Sequence, residues 1–257
     1  MRILLTNDDG VSSPGITLLA KALREAGHRV FVLAPATDHS GVSHSVSFFS
    51  GPCKLTQIDE DTWSCEGTPA DCVIVALLGG IPELCIVDSE DGTPPSPPNA
   101  VLSGINRGAN LGTDIIYSGT AAAARQGGLC NIPSVALSLV EGEDKIWNWE
   151  TAVSFTVKNL EQILASWKPD SFINVNIPNR REMPASLVRA FPSIRCYNDR
   201  ICIYTAPDGN RYCFSDAGTI GAKPEKGSDY DAVAGNNASL SEIFIYPVLR
   251  ESVIGRG

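Results

Sequence analysis

Short apolar runs, each closed by a polar or glycine-rich stretch, recur through the first 180 positions of the chain. RILLT (2–6), RVFVLA (29–34), AVLSGIN (100–106), PSVALSLV (133–140) and FINVNIP (172–178) have strand length and are largely apolar, as buried strands are. Helical spacing fills the gaps. In ITLLAKALREAG (16–27), Ile16, Leu19, Ala20 and Leu23 fall at i, i+3, i+4 and i+7, and Gly27 suits the C-terminal stop. TPADCVIVALLGG (68–80) predicts a helix with Thr68 as cap, Pro69 in the first turn and Asp71 where a capping-box acid belongs. GTAAAARQGG (119–128) predicts another. WETAVSFTVKNLEQILASW (149–167) predicts the longest, with Val153, Val157, Leu160, Leu164 and Trp167 as its packing stripe.

Strand, helix and strand within about 35 residues make a βαβ unit, whose strands run parallel. VSFF and TWSCE, between 46 and 66, and the short run LCIV (84–87) are further β-like pieces, and EDGTPPSPPN (90–99) is a surface loop. After about 180 the pattern changes to short β-like runs, RICIYT and RYCF, separated by turns. The expected fold is therefore α/β: a Rossmann-like, three-layer, mostly parallel sheet over residues 1–180. A β-rich arm and tail for oligomer contacts is expected over 181–257. No internal repeat is visible.

The polar stretches that follow the strands carry the candidate chemistry. They are TNDDG (6–10), ATDHSGVSHS (36–45) and SGINRGANLG (103–112), the last followed by YSGTAAAA (117–124). Open α/β sheets bind ligands at the carboxyl ends of their strands, where parallel neighbours would bring these segments together. Taken alone, NDDG is equally a solvated turn, because Asn, Asp and Gly are turn formers. Taken with the others, it belongs to a set of carboxylate, amide and hydroxyl oxygens, which suits a hard divalent cation such as Mg²⁺ or Mn²⁺. SGT (118–120), opening a helix, offers N–H groups and hydroxyls to a phosphate.

Composition narrows the partners. The chain has 257 residues and a formal net charge of -9, which argues against a general nucleic-acid binder. Its eight cysteines form no C-x-x-C pair, and there are three histidines, so no zinc-like cluster stands out. Cysteines in apolar runs, such as Cys85 in LCIV and Cys202 in ICIY, read as buried free thiols in a reducing compartment. No signal-peptide core or membrane-spanning run is present, and a cytoplasmic location is expected.

TNDDG, SGVSHSVS, GTPADC (67–72), SGINRGAN (103–110), YSGT (117–120) and INVNIP (173–178) resemble, in order, the signatures of the SurE family. SDYDAVAGN (228–236) is a fainter echo. Members are metal-dependent phosphatases acting on nucleoside monophosphates. The resemblance implies one divalent ion, Mg²⁺ or Mn²⁺, held by Asp8, Asp9, Ser40 and Asn106. It makes Asp8 and Asp9 catalytic together with Asn7, which would sit beside the metal. Ser118, Gly119 and Thr120, with Gly41, His44 and Arg107, would bind phosphate and substrate. Asp38 falls outside the expected ligands. The implied reaction is hydrolysis of nucleoside 5′-monophosphates, with 3′-monophosphates and polyphosphate as further candidates, in a homodimer or homotetramer.

The chain departs from the family pattern in an apparent insertion near 88–99, in the reduced basic segment RAFPSIRCYND (189–199), and in the ending LSEIFIYPV. Two rival readings fit less well. A phosphoacceptor signalling domain is about half this length and carries a late lysine, and this chain has no lysine between 55 and 144. A dinucleotide-binding scaffold wants G-x-G-x-x-G after its first strand, where this chain has NDDGVSSPG (7–15).

Overall fold

The computed structural model describes residues 1–78, 97–142, 146–216, 218, 220–223 and 225–247. The first part alternates strands and helices: β1 (Arg2–Thr6), α1 (Pro14–Glu25), β2 (Arg29–Pro35), β3 (Leu55–Asp59), β4 (Thr62–Cys65) and α2 (Pro69–Leu78). It continues through β5 (Ala100–Arg107), α3 (Gly119–Leu129), β6 (Ser134–Val140), α4 (Trp149–Ala165) and β7 (Ser171–Pro178). Strands β4, β2, β1, β5, β6 and β7 lie side by side and parallel. β3 pairs antiparallel with β4 at one edge.

The three layers follow from the pleat, which sends successive side chains to opposite faces. Ile3 and Leu5 of β1 share a core cluster with Ile16 and Leu19 of α1 and with Phe155 and Leu160 of α4. Leu4 between them joins the opposite cluster, with Leu33, Cys72, Val73 and Val101. Each such fully buried Leu or Ile contributes about 1.5–3 kcal/mol.

α1 starts at Pro14, two residues before the apolar spacing begins, because proline suits the first helical turn. The capping box of α2 is formed: Thr68 N–H donates to Asp71 Oδ2 at 2.8 Å, and Asp71 N–H donates to Thr68 Oγ1 at 3.2 Å. In α4 the buried face is Ala152, Val153, Phe155, Thr156, Leu160 and Ile163. Val157, Leu164 and Trp167 sit at its margin, so the expected stripe is rotated toward one side.

Several expectations need correction. VSFF makes no strand: Phe48–Ser50 is a single 3₁₀ turn. LCIV, Cys85 and residues 88–96 lie outside the described residues. The part after 180 is more than an arm. It comprises β8 (Leu187–Arg189), β9 (Arg195–Tyr197), β10 (Arg200–Thr205), β11 (Arg211–Asp216), β12 (Ile220–Ala222), α5 (Asp229–Ala234) and β13 (Ala238–Phe244). β13 returns to the main sheet, antiparallel to β7, and β8 pairs parallel beside it. Leu240 of β13 belongs to the main core, which is why this strand is held there.

The arm proper is the antiparallel hairpin β10–β11, while β9 pairs with β12. Ile201 and Ile203 on the hairpin are 62% and 66% exposed among the described residues, and Cys202 is only partly covered. Among the described residues no helix is long and apolar enough to cross a membrane.

Candidate active site

In the sheet, β2 lies on one side of β1 and β5 on the other. Connections that leave in opposite directions open a crevice at the carboxyl ends of the two central strands. β1 ends at Asn7-Asp8-Asp9, and β5 ends at Asn106 and Arg107. The polar segment after β2 is drawn over the same edge: His39 N–H donates to the Asp8 carbonyl at 2.8 Å. The result is a cleft of about 280 Å³ lined by Asp8, Ser40, Gly41, Asn106, Arg107 and Ser118, among others. A larger cavity of about 750 Å³ lies across the 108–114 segment against Arg180, Arg195 and Tyr230, and holds neither carboxylate of the pair.

Asp8 is almost completely buried. Its Oδ1 accepts from Thr120 Oγ1 at 2.5 Å and its Oδ2 from Thr120 N–H at 3.1 Å. Burial pushes its carboxyl up to about 6; the Thr120 bonds oppose that rise, and the neighbouring charge of Asp9 adds to it. Asp9 is also raised, chiefly by burial and further by Asp38, while Arg107 opposes. Arg107 N–H donates to Asp9 Oδ2 at 3.0 Å. Two partly desolvated carboxylates side by side call for a compensating cation.

The remaining expected ligands are neutral oxygens. Asn106 donates Nδ2 to the Gly108 carbonyl at 3.0 Å, which leaves Oδ1 as its uncommitted end. Ser40 donates both N–H and Oγ–H to Asp38 Oδ1, at 2.7 and 2.6 Å. The lone pairs of Ser40 Oγ stay available. Neither His nor Cys belongs to the set, so the donors fit a hard divalent cation rather than zinc.

Other residues take roles that differ from the sequence expectation. Asn7 Nδ2 donates to the Gly10 carbonyl and to Ser13 Oγ, both at 2.8 Å, so this end of the amide braces the loop, while its buried Oδ1 has no hydrogen-bond partner among the described residues. Gly10 closes that turn at φ +94°, with the Thr37 carbonyl carbon 3.3 Å from where a Cβ would stand.

Thr120, expected on phosphate, spends its hydroxyl and its N–H on Asp8. Ser118 caps α3, its Oγ accepting from Ala121 N–H at 3.0 Å, while still lining the cleft. Gly119 lets α3 approach: a Cβ there would lie 2.9 Å from Asp8 Cβ and 3.1 Å from Pro69 Cγ. The SGT segment thus holds Asp8 first, and of the three only Ser118 faces the cleft. His44 is half-buried against α3, its Nε2 at 3.1 Å from Gln126 Oε1, and lies outside the lining. Burial lowers its pKa, the Gln126 hydrogen bond opposing and Arg125 adding to the shift.

Sequence reasoning missed three supports. Asp38 orients Ser40 and is therefore part of the site; the D-x-S spacing of an Asx turn was the available signal. The 107–112 segment is pinned by a buried amide network: Asn176 Oδ1 accepts from Asn110 N–H at 2.8 Å, and Asn174 Nδ2 donates to the Asn110 carbonyl at 2.8 Å. INVNIP is the source of that network. The third support is a pair of tyrosines at the mouth, Tyr117 and Tyr197, whose distance apart in sequence gives no signal.

Comparison with known proteins gives concordant matches. The model of the family described as "Survival protein SurE" matches residues 3–196. A 5′-nucleotidase SurE of Stenotrophomonas maltophilia (strain R551-3) is 39% identical over 250 residues, covering 95% of this chain and 89% of that protein. A 5′-nucleotidase SurE of Xanthomonas axonopodis pv. citri (strain 306) is 43% identical over 180 residues, covering 70% of this chain and 64% of the other. The crystal structure of the SurE protein from Aquifex aeolicus superimposes with a TM-score of 0.77 at 35% identity, covering 99% of this chain and 97% of that one.

Proposed function

The chain belongs to the SurE family, and from that membership we propose that it is a divalent-metal-dependent 5′-nucleotidase. It hydrolyses nucleoside 5′-monophosphates to nucleoside and inorganic phosphate. The observation that carries the reading is the buried Asp8 at the switch point of the sheet, with the partly exposed Asp9 next to it in the chain and Ser40 and Asn106 sharing the cleft that Asp8 lines. The curated relatives named 5′-nucleotidase support the reaction class.

Asp8, Asp9, Ser40 and Asn106 would hold Mg²⁺ or Mn²⁺. When bound, the cation supplies Lewis-acid charge against the phosphoryl oxygens. The chain's own residues do the positioning. Thr120 fixes the Asp8 carboxylate, the Arg107 backbone fixes Asp9, and Asp38 fixes the Ser40 hydroxyl. Ser118 and Gly41 border the space left for phosphate. Water attacks phosphorus in line, the P–O bond to the sugar breaks, and the nucleoside leaves as its alcohol. Pre-set geometry and charge supply most of the acceleration in such transfers.

The same site would accept 3′-monophosphates and polyphosphate ends, since nothing in the donor set depends on which ester oxygen leaves. The hairpin β10–β11, apolar and exposed on both faces, supports a homo-oligomer in which a second copy covers it. A cytoplasmic enzyme is consistent with the seven described cysteines, all free thiols. Phosphate release from AMP by chelator-treated protein, before and after Mn²⁺ or Mg²⁺ is returned, tests the reading. Metal-restored turnover supports it; a protein that binds AMP without releasing phosphate under any metal is a scaffold instead.

A further inference from the structure

Two tyrosine rings stand at the mouth of the cleft with no part in the chemistry above. Tyr117 and Tyr197 line it together with Asp8, Ser40 and Asn106. Their rings meet edge to face, with centroids 6.3 Å apart. Tyr117 is 57% exposed and Tyr197 37%, so both offer apolar faces to solvent beside a strongly polar site.

Exposed aromatics are common and usually idle, but a single residue holds the Tyr197 side chain and the Tyr117 backbone from behind. The Tyr197 hydroxyl donates to Asp114 Oδ1 at 2.5 Å. The Tyr117 N–H donates to the Asp114 carbonyl at 3.0 Å. Asp114 in turn accepts from Arg195 Nε at 3.2 Å and from Leu111 N–H at 3.2 Å. The side chains of that ion pair are mostly buried, and the Arg195 guanidinium lies 5.8 Å from the centre of the Tyr230 ring. The Tyr117 carbonyl also takes Ser43 N–H at 2.9 Å, which ties the ring's backbone to the loop that carries Ser40. A buried ion pair used to hold two exposed rings in register with a catalytic cleft is costly unless the rings do something.

We propose that Tyr117 and Tyr197 form the nucleobase platform of the site and set its preference for nucleotides over phosphate esters that lack a base. The inference rests on the nucleotidase reading and deepens it. With phosphate at Asp8 and Ser118, the sugar and base extend toward the mouth, where the rings stand. Stacking on aromatic faces is strong for every base and selects little among them. The platform therefore reads the presence of a base rather than its identity. Because the Tyr197 ring is already held through its hydroxyl, binding costs little of its side-chain entropy.

The test compares AMP with ribose 5-phosphate in Mn²⁺-loaded wild type, Tyr197→Leu and Tyr197→Phe. In wild type, KM for AMP should be lower than for ribose 5-phosphate by on the order of tenfold, with similar kcat. Tyr197→Leu should raise KM for AMP toward the ribose 5-phosphate value while changing the latter far less. Tyr197→Phe keeps the ring and should retain most of the preference. An unchanged AMP to ribose 5-phosphate ratio in Tyr197→Leu overturns the inference, as does an equal loss on both substrates. Wild type that cleaves both esters equally well also overturns it, and leaves the nucleotidase reading standing. Wild type that cleaves neither sinks that reading and the platform with it.

Discussion

Replacing Thr120 by valine tests how the site is built. Valine keeps the shape of the side chain and removes the hydroxyl that donates to Asp8 Oδ1 at 2.5 Å. The backbone bond to Oδ2 at 3.1 Å remains, so Asp8 loses one of two fixed partners. A hydrogen bond to a charged group contributes about 1.5–3 kcal/mol, or roughly 10- to 150-fold in an equilibrium constant. Partners that orient metal ligands cost about 10- to 100-fold in metal affinity when removed. The surviving backbone bond points to the lower part of both ranges, so Mn²⁺ affinity should fall on the order of tenfold. Calorimetric titration of chelator-treated Thr120→Val with Mn²⁺, without substrate, reads this directly. Thr120→Ser keeps the hydroxyl and should stay close to wild type. If Thr120 instead bound phosphate, Thr120→Val would raise KM for AMP and leave Mn²⁺ affinity unchanged. That result would refute the role assigned here.

Gly119→Val should abolish turnover with helix content retained by circular dichroism, because the new Cβ would stand 2.9 Å from Asp8 Cβ and displace that side chain; near-normal turnover would show that α3 can move away. Asp38→Ala frees the Ser40 hydroxyl and should weaken Mn²⁺ binding several-fold, whereas an independent surface aspartate would have no effect. Deleting the β10–β11 hairpin should lower the mass measured by light scattering while the main sheet, including β13, stays folded; an intact chain that is monomeric at micromolar concentration contradicts the oligomer.

The α/β part of the fold was legible because parallel strands buried on both faces leave short apolar runs, here alternating with segments of helical spacing. β1, β2, β5, β6 and β7 all stand within a residue or so of their expected ends. The return of β13 was not legible. ASLSEIF alternates polar and apolar residues and reads as well for an arm as for a sheet edge. The arm strand RICIYT has the composition of a core strand but is largely exposed among the described residues, so its apolar run misleads a reading by composition. At the site, the oxygen-rich segments could be placed because they follow strands of one sheet. Which oxygen each donor serves could not. Thr120 sits at a helix start, where phosphate and a buried carboxylate are equally good guests. Only the three-dimensional structure puts Asp8 there. Tyr197 and Asp114 meet across a long stretch of chain, which no local spacing encodes.

The central claim is that Asp8 and Asp9 are adjacent because they share a cation in a phosphatase. The most direct measurement is phosphate release from AMP by chelator-treated protein as Mn²⁺ is added, with wild type beside Asp8→Asn and Asp208→Asn. Asp208 lies in the exposed turn between β10 and β11, outside the lining of the cleft, and serves as the control. Asp8→Asn removes one negative charge at nearly constant shape. The account predicts no release before Mn²⁺ is added, saturable restoration in wild type and Asp208→Asn, and a loss on the order of 100-fold or more in Asp8→Asn. Equal rates for Asp8→Asn and Asp208→Asn at saturating Mn²⁺ would contradict it and return NDDG to an ordinary turn.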